Sequence, residues 1–574
     1  MESEKGDELM LKSKFEFFRR GRFTYLDNAA TTQVPDVVIR AAKNSLEFRG
    51  NPHRGAHEIA ERNEEKINSA RRNIGRFVNC SPDEIVFTGN TTDSINLAVK
   101  SFEHLLKKDD EVIISIAEHN SNILPYNSLK KKGVKFHFVE LRDGIVNSEQ
   151  LKSFLNSKTK VVALQHCSNV LGNINPVEKI GNLIKKFNSN IIYVIDGAQS
   201  IAHIPVDFKK IKCDYFAFSG HKMYGPDGIG VLVISKKIWT DINMIKMGGG
   251  TVADVNLIKG KKFDTIAYEK INSLVGMEGG TPNVSNIIGL SEAVDFIRLI
   301  GFDKIIEHEK RLSDYLIKEL GSIEGIKIYG PKNNKKRIGV VSFSIEDIDV
   351  KELGDFLGKR KIAIRYGSHC AFLLINDLKQ ENLRISFGIY NDLDDLQRVI
   401  QEINFFIDKK KGLISNPNLE KVKNMLYYKN ILPVNSQSQI MTKILDSIDD
   451  PENTDIVIMG GHFLAVPDIK DNQFYPSIKP LMPERLYGLL DEFGMTSFPL
   501  YTWDFACKIK NILSRNNINN VKLATIANDT TGINELKSSA ANKEDKSAEK
   551  YRNELLKEYQ QPKIPEVYLN ILDK

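Results

Sequence analysis

Short apolar runs alternate with amphipathic stretches through about the first 300 residues of the chain. Most of the runs are continuously apolar, which is typical of strands that are covered on both faces of a sheet. An amphipathic stretch at 177–187 lies between two of them and predicts a helix. This order indicates an α/β fold with a mostly parallel sheet. The runs are EIVFTG (84–89), EVIISI (111–116), KVVALQH (160–166), IIYVID (191–196), YFAFSG (215–220) and IGVLVIS (229–235).

The pattern changes several times along the chain and predicts a division into units. A smaller α/β domain should follow the large one, with strands at 327–330 and 338–345. A polar linker then leads to an extension in which strands at 455–463 and 520–528 and a helix at 483–493 are expected. The predicted boundaries are 1–21 for an N-terminal segment, 22–288 for the large domain, 289–412 for the small domain, 413–422 for the linker, 423–534 for the α/β extension and 535–574 for a charged helical or disordered tail.

Composition narrows the class of protein. The chain has 574 residues, of which 41% are hydrophobic and 27% charged, and a net charge of +6. The basic residues are dispersed, so nucleic acid is not an expected partner. No run approaches ~20 apolar residues, so no membrane partner is expected either. The five cysteines are odd in number and form no CxxC pair, which predicts reduced thiols, no metal site and a cytoplasmic location.

Two strand ends carry residues that suit a cofactor site. Asp196 ends the run IIYVID and is followed by a glycine turn, and Lys222 follows the run YFAFSG. Ligands of open parallel sheets bind beyond the carboxyl ends of the strands. Pyridoxal phosphate (PLP) needs a lysine for its Schiff base and a carboxylate beside its pyridinium nitrogen. Asp196 and Lys222 suit these roles; alternatively, Asp196 caps a turn and Lys222 is a surface lysine.

DGAQS (196–200) and FSGHKMYGPDGIG (218–230) closely resemble the cofactor site of class V aminotransferase-like enzymes, specifically the Suf-type (group II) cysteine desulfurases. The resemblance covers about residues 22–410, and its motifs follow in the family's order. It implies the PLP-dependent transferase fold type I. The other motifs are YLDNAATT (25–32), HRGAH (53–57), GNTTDSINLA (89–98), EHNSNILPY (118–126), SNVLG (168–172), EGGTPN (278–283) and RYGSHCA (365–371).

The resemblance implies a role for each cofactor residue. Lys222 would carry PLP, Asp196 would pair with the pyridinium nitrogen and Gln199 would contact the phenolic oxygen. His119 would stack on the ring and help to move protons. Thr281 would bind the phosphate of the neighbouring subunit, so a homodimer is implied. The other phosphate-binding residues would be Thr91, Thr92, Ser219 and His221.

The resemblance also implies the substrate site and the nucleophile. Asn169 and Arg384 would hold the substrate carboxylate, because an arginine fork matches a carboxylate. Cys370 would take the sulfur of L-cysteine as a persulfide, leave L-alanine, and pass the sulfur to an acceptor protein or small thiol, for example in iron–sulfur cluster assembly. The remaining substrate-site residues would be Ala30, Arg365 and Arg54, the last of which would approach the other subunit's site.

Alternatives stay open at this stage. The chain could be a selenocysteine lyase or another carbon–sulfur lyase, or a regulatory or scaffold protein with a degenerate enzyme domain. The extension could be an interaction module, bind a small molecule near 460–462, or accept sulfur through Cys507. Tyr366 and Ser368 stand where Suf-type enzymes usually have Thr and His, and Asp93 stands where glutamate is usual.

Overall fold

The computed structural model describes residues 11–411, apart from residues 22, 53–54, 261–262, 272 and 332–335, and three strands nearer the C-terminus. The chain divides into two compact units, residues 1–404 and 405–574. The linker at 413–422 and the helix at 483–493 lie outside the described residues, and the predicted domain boundary at residue 288 stays a prediction.

The described helices connect and cover the strands. Each α-helix is numbered in chain order as follows: α1 Glu16–Arg20, α2 Asp36–Glu47, α3 Glu58–Val78, α4 Thr91–Phe102, α5 Ser148–Phe154, α6 Val177–Phe187, α7 Phe208–Ile211, α8 Val284–Ile300, α9 Phe302–Gly321, α10 Val350–Lys359, α11 Phe372–Leu378 and α12 Leu393–Lys410. The helix expected at 177–187 is α6. Among the described helices, none is both long and apolar enough to cross a bilayer.

The described strands form one large sheet and several smaller ones. They are β1 Thr24–Tyr25, β2 Ile85–Thr88, β3 Glu111–Ser115, β4 Lys135–Val139, β5 Leu141–Arg142, β6 Ile145–Val146, β7 Thr159–Gln165, β8 Ile192–Asp196, β9 Tyr215–Ser219, β10 Gly230–Ile234, β11 Val252–Ile258, β12 Thr265–Lys270, β13 Ile326–Tyr329, β14 Val340–Ile345, β15 Ile362–Ala363, β16 Arg365–Gly367, β17 Asn382–Ser386, β18 Asp455–Gly460, β19 Val521–Asn528 and β20 Val567–Leu572.

The large sheet has seven strands in the order β2-β10-β9-β8-β7-β3-β4. Strands β4, β3, β7, β8 and β9 are parallel, and β10 runs antiparallel to both of its neighbours. Successive side chains of one strand enter different cores: Ile113 packs in one cluster, and Val112 and Ile114 pack in the other. This two-sided burial is the physical reason for the continuously apolar runs, and the predicted α/β class with a mostly parallel sheet is confirmed.

A second sheet and the segment between its last two strands hold the cavity-lining residues that come last in the sequence, from Arg365 to Arg384. Its strands follow the order β13-β14-β17-β16 and pair antiparallel throughout. The parallel pair β1–β15 and a backbone bridge between Asp27 and Ser386 connect residues 24–27 to this region. Residues separated by more than 330 positions therefore meet beside β17.

Three strands are described in the C-terminal unit. Strands β18 and β19 occur within the runs predicted at 455–463 and 520–528, and they pair parallel, while β19 and β20 pair antiparallel. Strand β20 lies near the end of the tail predicted at 535–574 to be helical or disordered, and the bounds of that tail stay a prediction. The sequence of β20, VYLNIL, is rich in β-branched, aromatic and aliphatic residues, unlike the Lys- and Glu-rich stretch before it.

Candidate active site

A cavity of about 1060 Å³ lies at the carboxyl ends of the central strands. It collects nearly all of the site residues expected from the sequence, from loops that follow β2, β3, β7, β8 and β9 and from the second sheet. Arg54 lies outside the described residues. The expected residues that line the cavity are Ala30, Thr91, Thr92, His119, Asn169, Asp196, Gln199, Ser219, His221, Lys222, Arg365, Cys370 and Arg384.

Thr281 lines a different pocket, of about 720 Å³, together with Arg49 and Asn63. It precedes α8 and does not line the main cavity of its own chain. That Thr281 serves another subunit stays a prediction.

Asp196 and Lys222 both line the cavity, and their opposite charges affect each other's pKa. Asp196 ends β8, and Lys222 ends a 3₁₀ turn (Gly220–Lys222) that follows β9. Burial raises the pKa of Asp196, while the nearby Lys222 charge opposes the rise. Burial lowers the pKa of Lys222, and Asp196 opposes that shift in turn. Among the described residues, the Asp196 carboxylate accepts a hydrogen bond only from the Ala198 amide, at Oδ1 and 2.9 Å, so capacity remains for a cationic ring nitrogen.

A cradle of hydroxyl and amide groups lies at the N-terminus of α4. The Thr91 amide donates to Ser219 Oγ at 2.7 Å, and the hydroxyls of Thr91 and Ser219 lie 2.6 Å apart. Gly230 lets β10 pass close by, because a Cβ there would lie 2.6 Å from Asn90 Cα. A helix N-terminus with several hydroxyls suits a phosphate group.

Asp93 helps to form this helix start. The Asn90 side chain accepts from the Asp93 amide at 3.0 Å, and the Asp93 carboxylate accepts from the Gly89 amide at 2.9 Å. The two bonds satisfy amides at the beginning of α4 reciprocally. The aspartate at the position of the usual glutamate therefore accepts from the amide just before the N-cap Asn90.

His119 and Gln199 are oriented by fixed partners. Nδ1 of His119 accepts from the Ser121 amide at 3.1 Å, which leaves the proton of the neutral ring on Nε2. Burial lowers the pKa of His119 to about 4, with further lowering by Lys222 and Arg384, so the ring is neutral at pH 7. Gln199 donates one amide hydrogen to Ala29 O at 2.7 Å and keeps a second for a ligand.

The residues present fit PLP. A lysine with a lowered pKa lies in the same cavity as a carboxylate with free acceptor capacity and a cradle suited to phosphate. A neutral imidazole lines the same cavity and can cover an aromatic ring. These are the groups that PLP requires of a protein.

Two arginines, Arg365 and Arg384, also line the cavity. Arg384 on β17 is buried and donates from Nη1 to Asn169 O at 3.0 Å, and its Nε has no hydrogen-bond partner among the described residues. Burial lowers the pKa of Arg384, and Asp27 opposes the shift. Asp27 binds both Arg384 and Arg365. The sequence reasoning gave Asp27 no role, although it lies inside the motif YLDNAATT.

Cys370 lies on the loop between β16 and α11 and is exposed. His369 and Cys370 both have positive φ, at 50° and 56°. The Asn120 amide donates to Cys370 O at 2.8 Å, and Asn169 Nδ2 donates to His369 O at 2.8 Å. The loop that carries the thiol is thus held by Asn169, which lines the cavity, and by the Asn120 amide.

The other described cysteines differ sharply from Cys370. Cys80, Cys167 and Cys213 are buried, and burial raises the pKa of each thiol, for Cys80 to about 12. Cys167 contributes to the cavity wall but is only 2% exposed. Among the described residues, Cys370 is therefore the accessible thiol. Cys507 lies outside them.

Tyr366 also lines the cavity. Its hydroxyl donates to Asp355 Oδ1 at 3.2 Å, and its ring lies against Gly354, where a Cβ would come within 2.3 Å of Tyr366 Cδ1. The glycine on α10 makes room for a ring at a position where Suf-type enzymes usually have threonine.

Comparison with known proteins agrees with this geometry. Residues 24–399 match the family model for aminotransferase class-V. A probable cysteine desulfurase of Pyrococcus abyssi is 39% identical over 378 residues, which cover 65% of this chain and 91% of that protein. A cysteine desulfurase of Wigglesworthia glossinidia brevipalpis is 35% identical over 385 residues, which cover 66% of this chain and 91% of that protein.

Solved structures give the same answer. The apo structure of a cysteine desulfurase from Thermococcus onnurineus NA1 aligns with a TM-score of 0.65 and 32% identity, covering 69% of this chain and 97% of that chain. The cysteine desulfurase CsdA of Escherichia coli aligns with a TM-score of 0.64 and 25% identity, covering 70% and 98%. Over the residues that hold the cavity, the chain belongs to the aminotransferase class-V family, and its relatives there are cysteine desulfurases.

Proposed function

We propose that this protein is a PLP-dependent cysteine desulfurase that removes sulfur from L-cysteine and holds it as a persulfide on Cys370. The observation that carries the proposal is the exposed Cys370 thiol at the same cavity as Lys222 and Asp196. A relative that only transferred amino groups would have no need of a thiol there.

The cofactor site uses the family's chemistry. The aminotransferase class-V family is PLP-dependent, and PLP, when bound, supplies the electron sink that labilises bonds at the α- and β-carbons of an amino acid. Lys222 would hold it covalently, Asp196 would keep its ring nitrogen protonated, and His119 would cover the ring. The phosphate would bind at Thr91, Thr92, Ser219 and His221, and Gln199 would donate to the phenolic oxygen.

The chain's own residues then bind and cleave the substrate. Arg384 and Asn169 would hold the carboxylate, with Ala30 and Arg365 beside them. The lowered pKa of Lys222 favours a neutral amine that accepts and returns the α-proton. The Cys370 thiolate attacks the substrate sulfur; a new S–S bond forms as the carbon–sulfur bond breaks. In balance, the enzyme thiol and L-cysteine give the enzyme persulfide and L-alanine.

Several finer features belong to the same proposal. We include a homodimer, which the location of Thr281 outside its own chain's cavity supports. The free thiols of the described cysteines support a reducing, cytoplasmic setting. An acceptor protein or small thiol would discharge the persulfide, and iron–sulfur cluster assembly is the use we propose for the sulfur. Membership of the Suf-type subgroup rests on the motifs alone.

The first test is turnover of L-cysteine with a reductant present. We expect equal amounts of alanine and sulfide from the wild type. Cys370→Ala should lose both by at least about a thousandfold, since the nucleophile is gone, while its PLP absorbance persists. Cys167→Ala removes a buried thiol of the same cavity wall and should remain active. A wild type that binds PLP and forms neither product would contradict the proposal.

A further inference from the structure

Asp27 joins the two arginines of the cavity. It follows β1, and its backbone bridges to Ser386 of β17. Its carboxylate accepts from Arg365 Nη2 at 2.8 Å and from Arg384 Nη2 at 2.9 Å, and Arg365 Nε lies 3.1 and 3.2 Å from its two oxygens. Both arginines line the cavity, whereas Asp27 is 8% exposed and is not among the lining residues. The Asp27 carboxylate therefore reaches the cavity through the two arginines.

The three groups leave one positive charge unmatched. Across the described residues, Asp27 is the only carboxylate that forms an ion pair with Arg365 or Arg384. Two guanidinium groups and one carboxylate sum to one net positive charge. An amino-acid substrate brings one carboxylate to this position, which would complete the balance in a site where charges are poorly solvated.

The contacts also fix the plane of Arg384. Asp27 takes Nη2, and the carbonyl of Asn169 takes Nη1, so neither end of the guanidinium is free to rotate. Nε is buried and unpartnered among the described residues, and each terminal nitrogen keeps a second hydrogen. A guanidinium held in this way has donors available for a further carboxylate at no cost of reorganisation.

Arg365 gains the most from Asp27. Its side chain is 50% exposed. A long exposed side chain that has no partner loses rotamer freedom when it binds a ligand, which weakens binding. The ion pair with Asp27 restricts Arg365 before the ligand arrives. Arg365 lies opposite Arg384 in the register of β16 and β17 and five residues before Cys370. Its position therefore bears on the substrate and on the nucleophile.

We propose that Asp27 is a positioning residue that fixes Arg365 and Arg384 as one unit selective for a single substrate carboxylate. The identity of that substrate as L-cysteine rests on the proposed function. Asp27 itself touches neither the substrate nor the reacting atoms.

The experiment compares L-cysteine with its methyl ester, which lacks the carboxylate charge, on the full-length PLP-bound enzyme. The readout is the preference, defined as kcat/KM for the acid divided by kcat/KM for the ester. Intrinsic differences between the two compounds cancel when variants are compared. We expect Asp27→Asn to lower the preference at least about tenfold, chiefly through KM for the acid, which corresponds to roughly 1.4 kcal/mol. Asp27→Glu should recover part of it.

Simple charge counting predicts the opposite result. Asp27→Asn raises the net charge of the cluster to two, so a site that only counts charge would bind the acid more tightly. A merely structural role would lower both activities equally and leave the preference unchanged. Either an increased or an unchanged preference would overturn the inference.

Two further variants provide a second test and a control. Arg365→Gln alters a half-exposed side chain, so it tests the unit even where Asp27→Asn fails to fold; it should also lower the preference, and an unchanged value would overturn the inference. Asp355→Asn is the matched control. It removes a nearby exposed carboxylate that pairs with Lys351 and Tyr366 and not with the arginines, and it should leave the preference unchanged.

Failure of the proposed function can be told apart. A wild type that turns over neither compound contradicts the desulfurase proposal. The inference is then tested by titrating the PLP absorbance with L-alanine and L-alanine methyl ester, and the ratio of their dissociation constants replaces the kinetic preference. We expect Asp27→Asn and Arg365→Gln to lower the preference for L-alanine over its methyl ester in binding. An unchanged ratio would overturn the inference.

Discussion

Cys370, the proposed nucleophile, has an unusual backbone conformation. His369 and Cys370 are consecutive non-glycine residues with positive φ, which costs roughly 1–2 kcal/mol per residue. The hydrogen bonds to His369 O and Cys370 O, from Asn169 and Asn120, offset this cost. Because Asn169 would also bind the substrate carboxylate, the loop that carries the thiol is connected directly to substrate binding.

Glu118, one residue before His119, is a buried acid to which the proposed reaction assigns no role. It is fully buried, and its Oε2 accepts from Asn122 Nδ2 at 2.7 Å, while its Oε1 has no hydrogen-bond partner among the described residues. Burial raises the pKa of Glu118 well above its ordinary value, and the charge of Asp196 adds to the rise. The folded protein therefore binds a proton here at pH values where the unfolded chain has lost it.

This shift makes stability depend on pH. A raised carboxyl pKa stabilises the fold fully below the unfolded value of 4.5, and the contribution declines as pH rises from there to the folded pKa, by at most about 1.4 kcal/mol per pH unit. Glu118→Gln is neutral throughout. We expect its urea midpoint, followed by PLP absorbance, to fall less between pH 5 and pH 8 than that of the wild type. Glu149→Gln, on an exposed residue, should behave like the wild type; equal pH dependence in both variants would contradict this reasoning.

For single residues, the sequence identified candidate cofactor-binding residues, but it did not identify which residues contact each other. Asp196 and Lys222 could be found because both follow apolar strands, and strand ends of a parallel sheet meet at one edge. The pairing of Asp27 with Arg365 and Arg384 could not, because more than 330 positions separate the partners and no local pattern records such a contact. The roles of the site residues remain predictions for the experiments above.

For the secondary-structure elements, the pattern of apolar residues predicted where the strands lie in the sequence. It did not predict whether neighbouring strands are parallel or antiparallel. The apolar run of β10 resembles its parallel neighbours, yet β10 runs the other way between β2 and β9. An apolar run records burial on both faces and carries no sign of direction. The short pair β1–β15 was also missed, because two-residue strands have too few positions to form a pattern.

Arg337 connects the loop after β7 to the second sheet. Its side chain is buried, and its Nη1 and Nη2 donate to four backbone carbonyls at 2.8 to 3.0 Å. The acceptors are those of Leu171, Val340, Tyr329 and Pro331, and burial lowers the pKa of Arg337 to about 10. One side chain therefore joins the loop that contains Asn169 to the ends of strands β13 and β14, in addition to the bond from Ser342 Oγ to Val170 O at 2.6 Å.

We expect Arg337→Met to destabilise the fold by at least about 3 kcal/mol, because it leaves several buried carbonyls without donors. It should also raise KM for L-cysteine, since Asn169 lies in the loop that Arg337 supports. The urea midpoint and KM are the measurements. Arg337→Lys keeps three donors and should lose less, and Lys336→Met, at the exposed neighbouring position, should change neither quantity. A midpoint for Arg337→Met equal to that of Lys336→Met would show that the carbonyl contacts are dispensable.

Considered as a whole molecule, the protein has its candidate chemistry in one of its two units. Every described residue of the cavity lies between Ala29 and Arg384, within the unit of residues 1–404. The family match also ends at residue 399. The C-terminal unit contributes a three-stranded sheet, β18-β19-β20, whose role stays among the three alternatives that its sequence left open.

A chain truncated after Lys411 should therefore keep its PLP absorbance and turn over free L-cysteine with a kcat/KM within about tenfold of the full chain, a difference below roughly 1.4 kcal/mol. A second truncation, before residue 535, serves as the control: it removes β20 but keeps β18 and β19, so it tests whether an incomplete C-terminal sheet alone impairs the enzyme. If both truncated chains remain active with free cysteine, the extension acts at a later step, such as delivery of sulfur to an acceptor. If removal of residues 412–574 abolishes alanine formation while PLP stays bound, the extension is needed for turnover itself, and the active unit cannot end at Lys411.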